Sequence, residues 1–330
     1  MSEVASCLSL SRRGLLQSAA IASAGLLAGC IAGESGPQQG RLEKIWGVRG
    51  TSPGRLNKPR AVTIDKDDLL YIVDVTPRIQ VFTGEGEFIR AWQTPDFKHG
   101  KPSGLSFDND GNLLVADTHY YRVLTYTPQG KLLADRTLGG TWGPGPGQFH
   151  FVTDCVQDPA GNYFVSEYGE YDRIQKFTPD HRFLFQWGSH GNELGQFLRP
   201  QKMAIDRAGL LWVADACNHR VQVFDARGSE AKLVKSWGQH GREPGQLNYP
   251  YDILLDDAGF AGLTDGHVYL CEFGNHRVQK FTLAGQFVGL WGANGRREGQ
   301  LDQPWGITRD SRGRMYVLDS YNHRVQRFRL

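Results

Sequence analysis

The sequence predicts an all-β chain: a six-bladed β-propeller of four-stranded antiparallel blades, with an N-terminal strand closing the last blade. Two observations predict it. A unit of short strands recurs six times, and the two ends of the chain hold complementary parts of one blade. The recurrence is plainest in "NHRVQ", which stands at 218–222, 275–279 and 322–326. Looser copies are "PRIQVFT" from Pro77, "YRVLTYT" from Tyr121 and "DRIQKFT" from Asp172.

Each copy has an apolar run upstream that ends in an acid: "LYIVD", "LLVAD", "YFVSE", "LWVAD", "VYLCE" and "MYVLD". Further upstream another short strand closes on Asp65, Asp108, Asp158, Asp206, Asp256 or Asp310. Those aspartates are spaced by roughly 43 to 54 residues, in the range of propeller blades. A fourth strand follows the arginine strand, as in "EFIRAW", "FLFQW" and "FVGLW". The connections hold Gly, Pro, Asp and Asn, which suit tight turns. No stretch has helical periodicity, and short strands at regular spacing indicate blades.

The ends set the count. The chain stops at "RVQRFRL", the third strand of the sixth unit, and "LEKIW" at Leu42–Trp46 supplies the missing fourth. Closing the ring protects sheet edges that otherwise invite pairing with other chains. The propeller is therefore expected over residues 42–330.

Residues 1–29 read as a signal peptide. Arg12 and Arg13 precede an apolar run that is short for a membrane span of about 20 residues and that ends in "LLAGC" at Leu26–Cys30. A charged start, a short apolar middle and small residues form an export leader. The arginine pair resembles a twin-arginine signal. Leu27-Ala28-Gly29-Cys30 resembles a bacterial lipobox. Cys30 is the expected lipidation site, and residues 30–41 are a flexible tether. The expectation is export by the twin-arginine route to the periplasmic side of a membrane, or to the cell surface, as a lipoprotein. Cys155, Cys217 and Cys271 then remain, an odd number without CxxC spacing, so neither a disulfide framework nor a zinc motif is indicated. Lys plus Arg number 37 against 35 Asp plus Glu. No basic block accompanies that balance, so no nucleic-acid partner is expected.

The acid and the arginine flank one turn in every unit: Asp74 with Arg78, Asp117 with Arg122, Glu167 with Arg173, Asp215 with Arg220, Glu272 with Arg277, and Asp319 with Arg324. A carboxylate there can accept turn N–H groups, and an arginine can clamp it or neighbouring carbonyls, so six copies read as structural staples. His219, His276 and His323 repeat one position in successive blades. Zinc needs its ligands about 2 Å away, while packed sheets lie about 10 Å apart, so no shared metal is expected. His119, His190 and His240 read as loop histidines.

A specific site needs residues that differ between blades. Aligning the proline before each innermost strand gives a channel rim of Arg60, Ser103, Thr153, Gln201, Tyr251 and Trp305. Ala61, Gly104, Asp154, Lys202, Asp252 and Gly306 follow them. The expected ligand-binding set is Arg60, Asp154, Gln201, Lys202, Tyr251, Asp252 and Trp305. These side chains either present a ligand surface, with aromatic faces beside an arginine, or plug the channel.

The units resemble the NHL repeat, a structural signature of six-bladed propellers: "ACNHRVQVF", "FGNHRVQKF" and "SYNHRVQRF" carry it, with Arg-Val where the signature has Leu. The resemblance covers about residues 42–330 and speaks to fold more than to function. Peptidylglycine amidating lyases resemble this fold and place zinc-binding histidines directly after the rim proline. No blade has a histidine there, and His150 falls three residues early. Streptogramin lyases also resemble it, without a matching histidine and acid here. The reading is thus a membrane-anchored, monomeric binding scaffold for a peptide, glycan or protein ligand. A metal-assisted lyase or hydrolase is the alternative. No catalytic residue is assigned and no cofactor is expected, a calcium or zinc ion in the channel being left open.

Overall fold

The structure is a computed structural model that describes residues 40–256 and 266–330. The expected leader, Cys30 and the tether to residue 39 lie outside the described residues. The rest forms six separate sheets of four antiparallel strands. In blade 1 the order from axis to edge is Ala61–Ile64, Leu70–Val73, Arg78–Phe82 and Phe88–Gln93. Blades 2 to 5 repeat it, with innermost strands at Gly104–Phe107, Phe151–Gln157, Pro200–Ile205 and Pro250–Asp256.

Blade 6 is assembled from both ends. Ile307–Arg309, Met315–Asp319 and Arg324–Arg329 are joined by Arg41–Trp46, which takes the outer position. Arg41 pairs with Arg329 and Trp46 with Val325, across a register shift between Leu42 and Lys44. The expected closure is therefore the observed one.

Burial explains the strand order. The second and third strands of blade 1 are buried along their whole length, and Phe88–Gln93 is largely exposed. The apolar core is divided into six clusters, each shared by two neighbouring blades. Tyr71 and Val81 of blade 1 meet Leu113 and Tyr126 of blade 2. The closing contact sets Tyr316, Leu318 and Val325 of blade 6 against Val62, Leu70 and Phe82 of blade 1.

Turn chemistry fixes the lower face, where first strands hand over to second strands. Asp65 Oδ1 accepts the N–H groups of Asp67 and Leu69, each at 2.9 Å. Asp310 Oδ1 accepts those of Arg312 and Arg314 at 3.0 and 2.8 Å. Every innermost strand starts on the opposite, upper face, where the segments entering from the preceding blade also arrive. Near the axis at that level Gly104 is required by close approach: a Cβ there would stand 2.2 Å from the Thr153 carbonyl oxygen. Cys155, Cys217 and Cys271 are free thiols, two of them buried.

Candidate functional site

The repeated acid and arginine form a lattice on the upper face. All six pairs are ion-paired, with N···O distances between 2.6 and 3.2 Å. Their reach extends beyond the turn. Asp215 Oδ1 accepts the N–H of Leu198, and Glu272 Oε1 that of Asn248, each at 2.8 Å. Both donors belong to the segment that enters the blade. Arg220 gives its remaining donors to the carbonyls of Asn192, Glu193 and Gln196 in that segment, at 2.7 to 2.8 Å. Sequence reasoning missed the partner two residues on. Gln80, Gln175, Gln222, Gln279 and Gln326 each donate to an entering carbonyl and accept an N–H from a glycine (Gln222 to Gln196 O and from Gly195). The recurring "Q" after the arginine was the available signal.

Blade 2 departs from this pattern, so the six copies are not equivalent. Leu124 stands where the other blades have glutamine. Asp117 is fully buried, takes Arg122 at 2.9 Å, and leaves Oδ1 without a hydrogen-bond partner. Burial pushes its carboxyl up to about 6 despite Arg122.

The histidines latch one blade to the next. His219, His276 and His323 adopt left-handed φ values of 54° to 56°. Their Nδ1 atoms accept the N–H of Tyr249, Gln303 and Lys58 at 3.0 to 3.1 Å. Asp172 does the same for Arg199 at 2.8 Å. Each residue of "NHR" thus has one task, since Asn218 Nδ2 bridges Asp215 and the entering Gly191 carbonyl. Burial lowers the pKa of all three histidines below the usual 6.5. The folded state therefore favours neutral rings, and their contribution is present above about pH 6.5 and lost as pH falls. Urea midpoints measured from pH 7.5 to 5 should fall on acidification. A variant with His219→Asp, His276→Asp and His323→Asp should show a shallower fall, since aspartate copies Asp172. Equal slopes would remove the latch account.

At the axis the structure brings the six rim residues around one space, with Lys202 and Asp252. That space is about 10 Å³, roughly the volume that one water centre needs. Lys202 Nζ donates to Asp154 Oδ1 at 2.9 Å and to the Leu105 carbonyl at 2.7 Å. Asp154 Oδ2 accepts Met203 N–H at 3.0 Å, and Asp252 Oδ2 accepts Ile307 N–H at 2.9 Å. Asp252 Oδ1 has no partner, and burial pushes its carboxyl up to about 7. Burial also raises the Asp154 pKa. It opposes the Lys202 ammonium as well, but Asp154 and Asp252 hold that group above its usual value. The three charges form a plug that ties blades 2 to 6 together, and Gln201 is buried beside them.

Arg60, Tyr251 and Trp305 continue into a surface above the plug. Trp305 meets Tyr251 at 4.9 Å and Phe273 at 5.4 Å between centroids. Arg60 lies over Trp305 at 5.2 Å, Arg199 over Tyr168 at 4.8 Å, and Lys58 over Tyr321 at 4.2 Å. Among the described residues none of these three cations is ion-paired with a carboxylate. Between blades 6 and 1 a pocket of about 330 Å³ is lined by Asn57, Lys58, Arg60, Trp305, Ser320 and Tyr321, with Val75. Lys58 and Arg199 directly precede the rim prolines Pro59 and Pro200. Among the described residues no group of three or more His, Cys, Asp or Glu side chains is placed to hold a metal ion.

The NHL-repeat family model matches residues 197–224 and 301–328. Two segments of the chain thus match the NHL repeat. The chain is 29% identical to peptidyl-glycine alpha-amidating monooxygenase B of Xenopus laevis over 58% of the chain and 21% of that protein. It is 30% identical to NHL repeat-containing protein 3 of Mus musculus over 50% of the chain and 51% of that protein. The chain thus spans about half or less of these curated relatives. Among solved structures it resembles an auxiliary nutrient binding protein from Bacteroides ovatus (TM-score 0.64, 16% identity, 83% of this chain and 69% of the other). It also resembles virginiamycin B lyase from Staphylococcus aureus (TM-score 0.55, 14% identity, 83% and 80%). These two likenesses show the fold.

Proposed function

We infer that this NHL propeller is an exported binding scaffold, tethered to a bacterial membrane through Cys30, that holds a peptide or protein ligand on its upper face. The observation that supports the ligand site most is the set of unpaired cations over aromatic rings beside the 330 Å³ pocket. Such a surface suits a segment with acidic and aromatic side chains, which would gain charge pairing and ring contact together. The varied rim separates this face from the repeated lattice around it.

The amidating monooxygenases among the relatives raise a metal-assisted alternative. The residues after the rim positions are Ala61, Gly104, Asp154, Lys202, Asp252 and Gly306, three of them engaged in the plug. That set favours binding over metal chemistry at the axis.

The test is a peptide array probed with the purified protein and with Arg60→Ala plus Trp305→Ala. Bound peptides should weaken about 10- to 100-fold in the variant, the size expected for a desolvated cation–π pair and an aromatic anchor. Unchanged binding would remove the site assignment. Separately, Cys30→Ser should move the protein from the membrane fraction to the soluble fraction.

A further inference from the structure

The lower outer edge of blade 6 is strongly basic. Arg41, Arg312, Arg314, Arg327 and Arg329 line one shallow cleft of about 490 Å³ with Glu43. The carboxylates there already have partners. Glu43 is ion-paired with Arg327 and Arg329 at 3.3 and 2.8 Å. Glu85 takes Lys44 at 2.7 Å and also Arg327, and Asp310 takes Arg314 at 2.6 Å. Five arginines and Lys44 therefore face three carboxylates. Arg312 is exposed and has no ion pair among the described residues. Arg41 is 81% exposed and reaches Glu43 only at 3.5 Å.

The position of this edge matters as much as its charge. Arg41 pairs with Arg329 where the third strand of blade 6 finishes, on the face opposite the rim. It is also the residue at which the chain from Cys30 joins the ring. Cys30 stands eleven residues before Arg41 in the sequence, a chain length for which a flexible linker would span about 18 Å. A ring tethered there is held within a few Debye lengths of the membrane surface, the length being about 8 Å at physiological salt.

We propose that the arginine cleft at the lower edge of blade 6 docks on anionic phospholipid headgroups, as a second attachment beside the acyl group on Cys30. This rests on the anchored reading above. Arginine forks match phosphate geometry, each basic residue near an anionic surface adds measurable attraction, and stable anchoring generally takes two signals. The consequence is orientation. With the lower edge against lipid, Arg60 and Trp305 point away from the membrane and are open to a ligand.

The test uses the chain from residue 31 onward without lipid. The ring closes with Arg41–Trp46, so each blade has its four strands in this form. It should co-sediment with vesicles containing phosphatidylglycerol, stay free with phosphatidylcholine vesicles, and be released at about 1 M salt, where the Debye length is about 3 Å. Arg41→Glu plus Arg312→Glu, at two exposed side chains of which Arg41 reaches Glu43 only at 3.5 Å and Arg312 makes no ion pair among the described residues, should weaken vesicle binding about tenfold or more. Equal binding to both vesicle types, or an unaffected variant, would overturn the proposal. So would capture by RNA or heparin without vesicle binding. Mass analysis of the native protein for an acyl group on Cys30 tests the anchor itself, so either reading can fail alone.

Discussion

Replacing Lys202 by alanine should lower the unfolding free energy by about 3–5 kcal/mol, the cost of leaving a buried charge without its partner. Lys202 is the only cation bonded to Asp154 among the described residues, and it also caps the Leu105 carbonyl. Its removal leaves Asp154 and Asp252 facing each other across a space with room for about one water. The pH dependence has a definite sign. Asp252 is held up to about 7 in the folded protein, above its ordinary value of 3.8. Its contribution is present below about pH 4 and lost as pH rises toward 7. The variant should therefore lose more stability at pH 8 than at pH 5, and Asp252→Asn added to it should recover part of the loss. Urea unfolding at the two pH values measures both. A loss under about 1 kcal/mol at pH 8 would mean that the plug is solvated and the axis open.

The second large effect is expected at Glu272. It accepts bonds from Asn248 N–H, Asn275, Arg277 and Gln279, at 2.7 to 2.8 Å. Glu272→Ala strands all four donors in a buried site, for about 3–5 kcal/mol. Asp117→Ala should cost only about 1–2 kcal/mol. Asp117 has lost the glutamine and the entering N–H, and burial already pushes its carboxyl toward the neutral form. The two variants differ in partners and agree in burial, so equal costs would show that burial, not the lattice, sets the energy. Blade 2 is on this account the weak seam of the ring, and amide exchange should be fastest there.

The fold was legible because its rules are local and repeated. Leu70, Leu113 and Met315 occupy the same place in three copies of one strand, and "LEKIW" matched the missing strand by its pattern alone. The rim was also legible, since in five blades a proline stands at the start of the innermost strand, with Val152 at that place in blade 3, and those positions do converge on the axis. Depth was not. Nothing in the letters "DC", "KM" and "YD" tells that Asp154 and Lys202 bond across blades while Trp305 faces outward; that depends on where twisted sheets bring strands from distant segments. That Arg220 can clamp carbonyls was legible, and it does so. Which carbonyls it reaches was not, because every residue has one. Gln222 was visible but silent, because a glutamine in a strand usually signals an exposed face.

The pairing of Arg41–Trp46 with Arg324–Arg329 also sets a clock. At ribosomal speeds of about 5–20 residues per second, the closing strand waits roughly 15–60 s for its partner to be made. During that interval the nascent chain carries an unpaired edge at each end, open to pairing with another copy. A ring closed this way is finished only once Arg324–Arg329 has been made. Any step that requires the folded propeller has to follow that point.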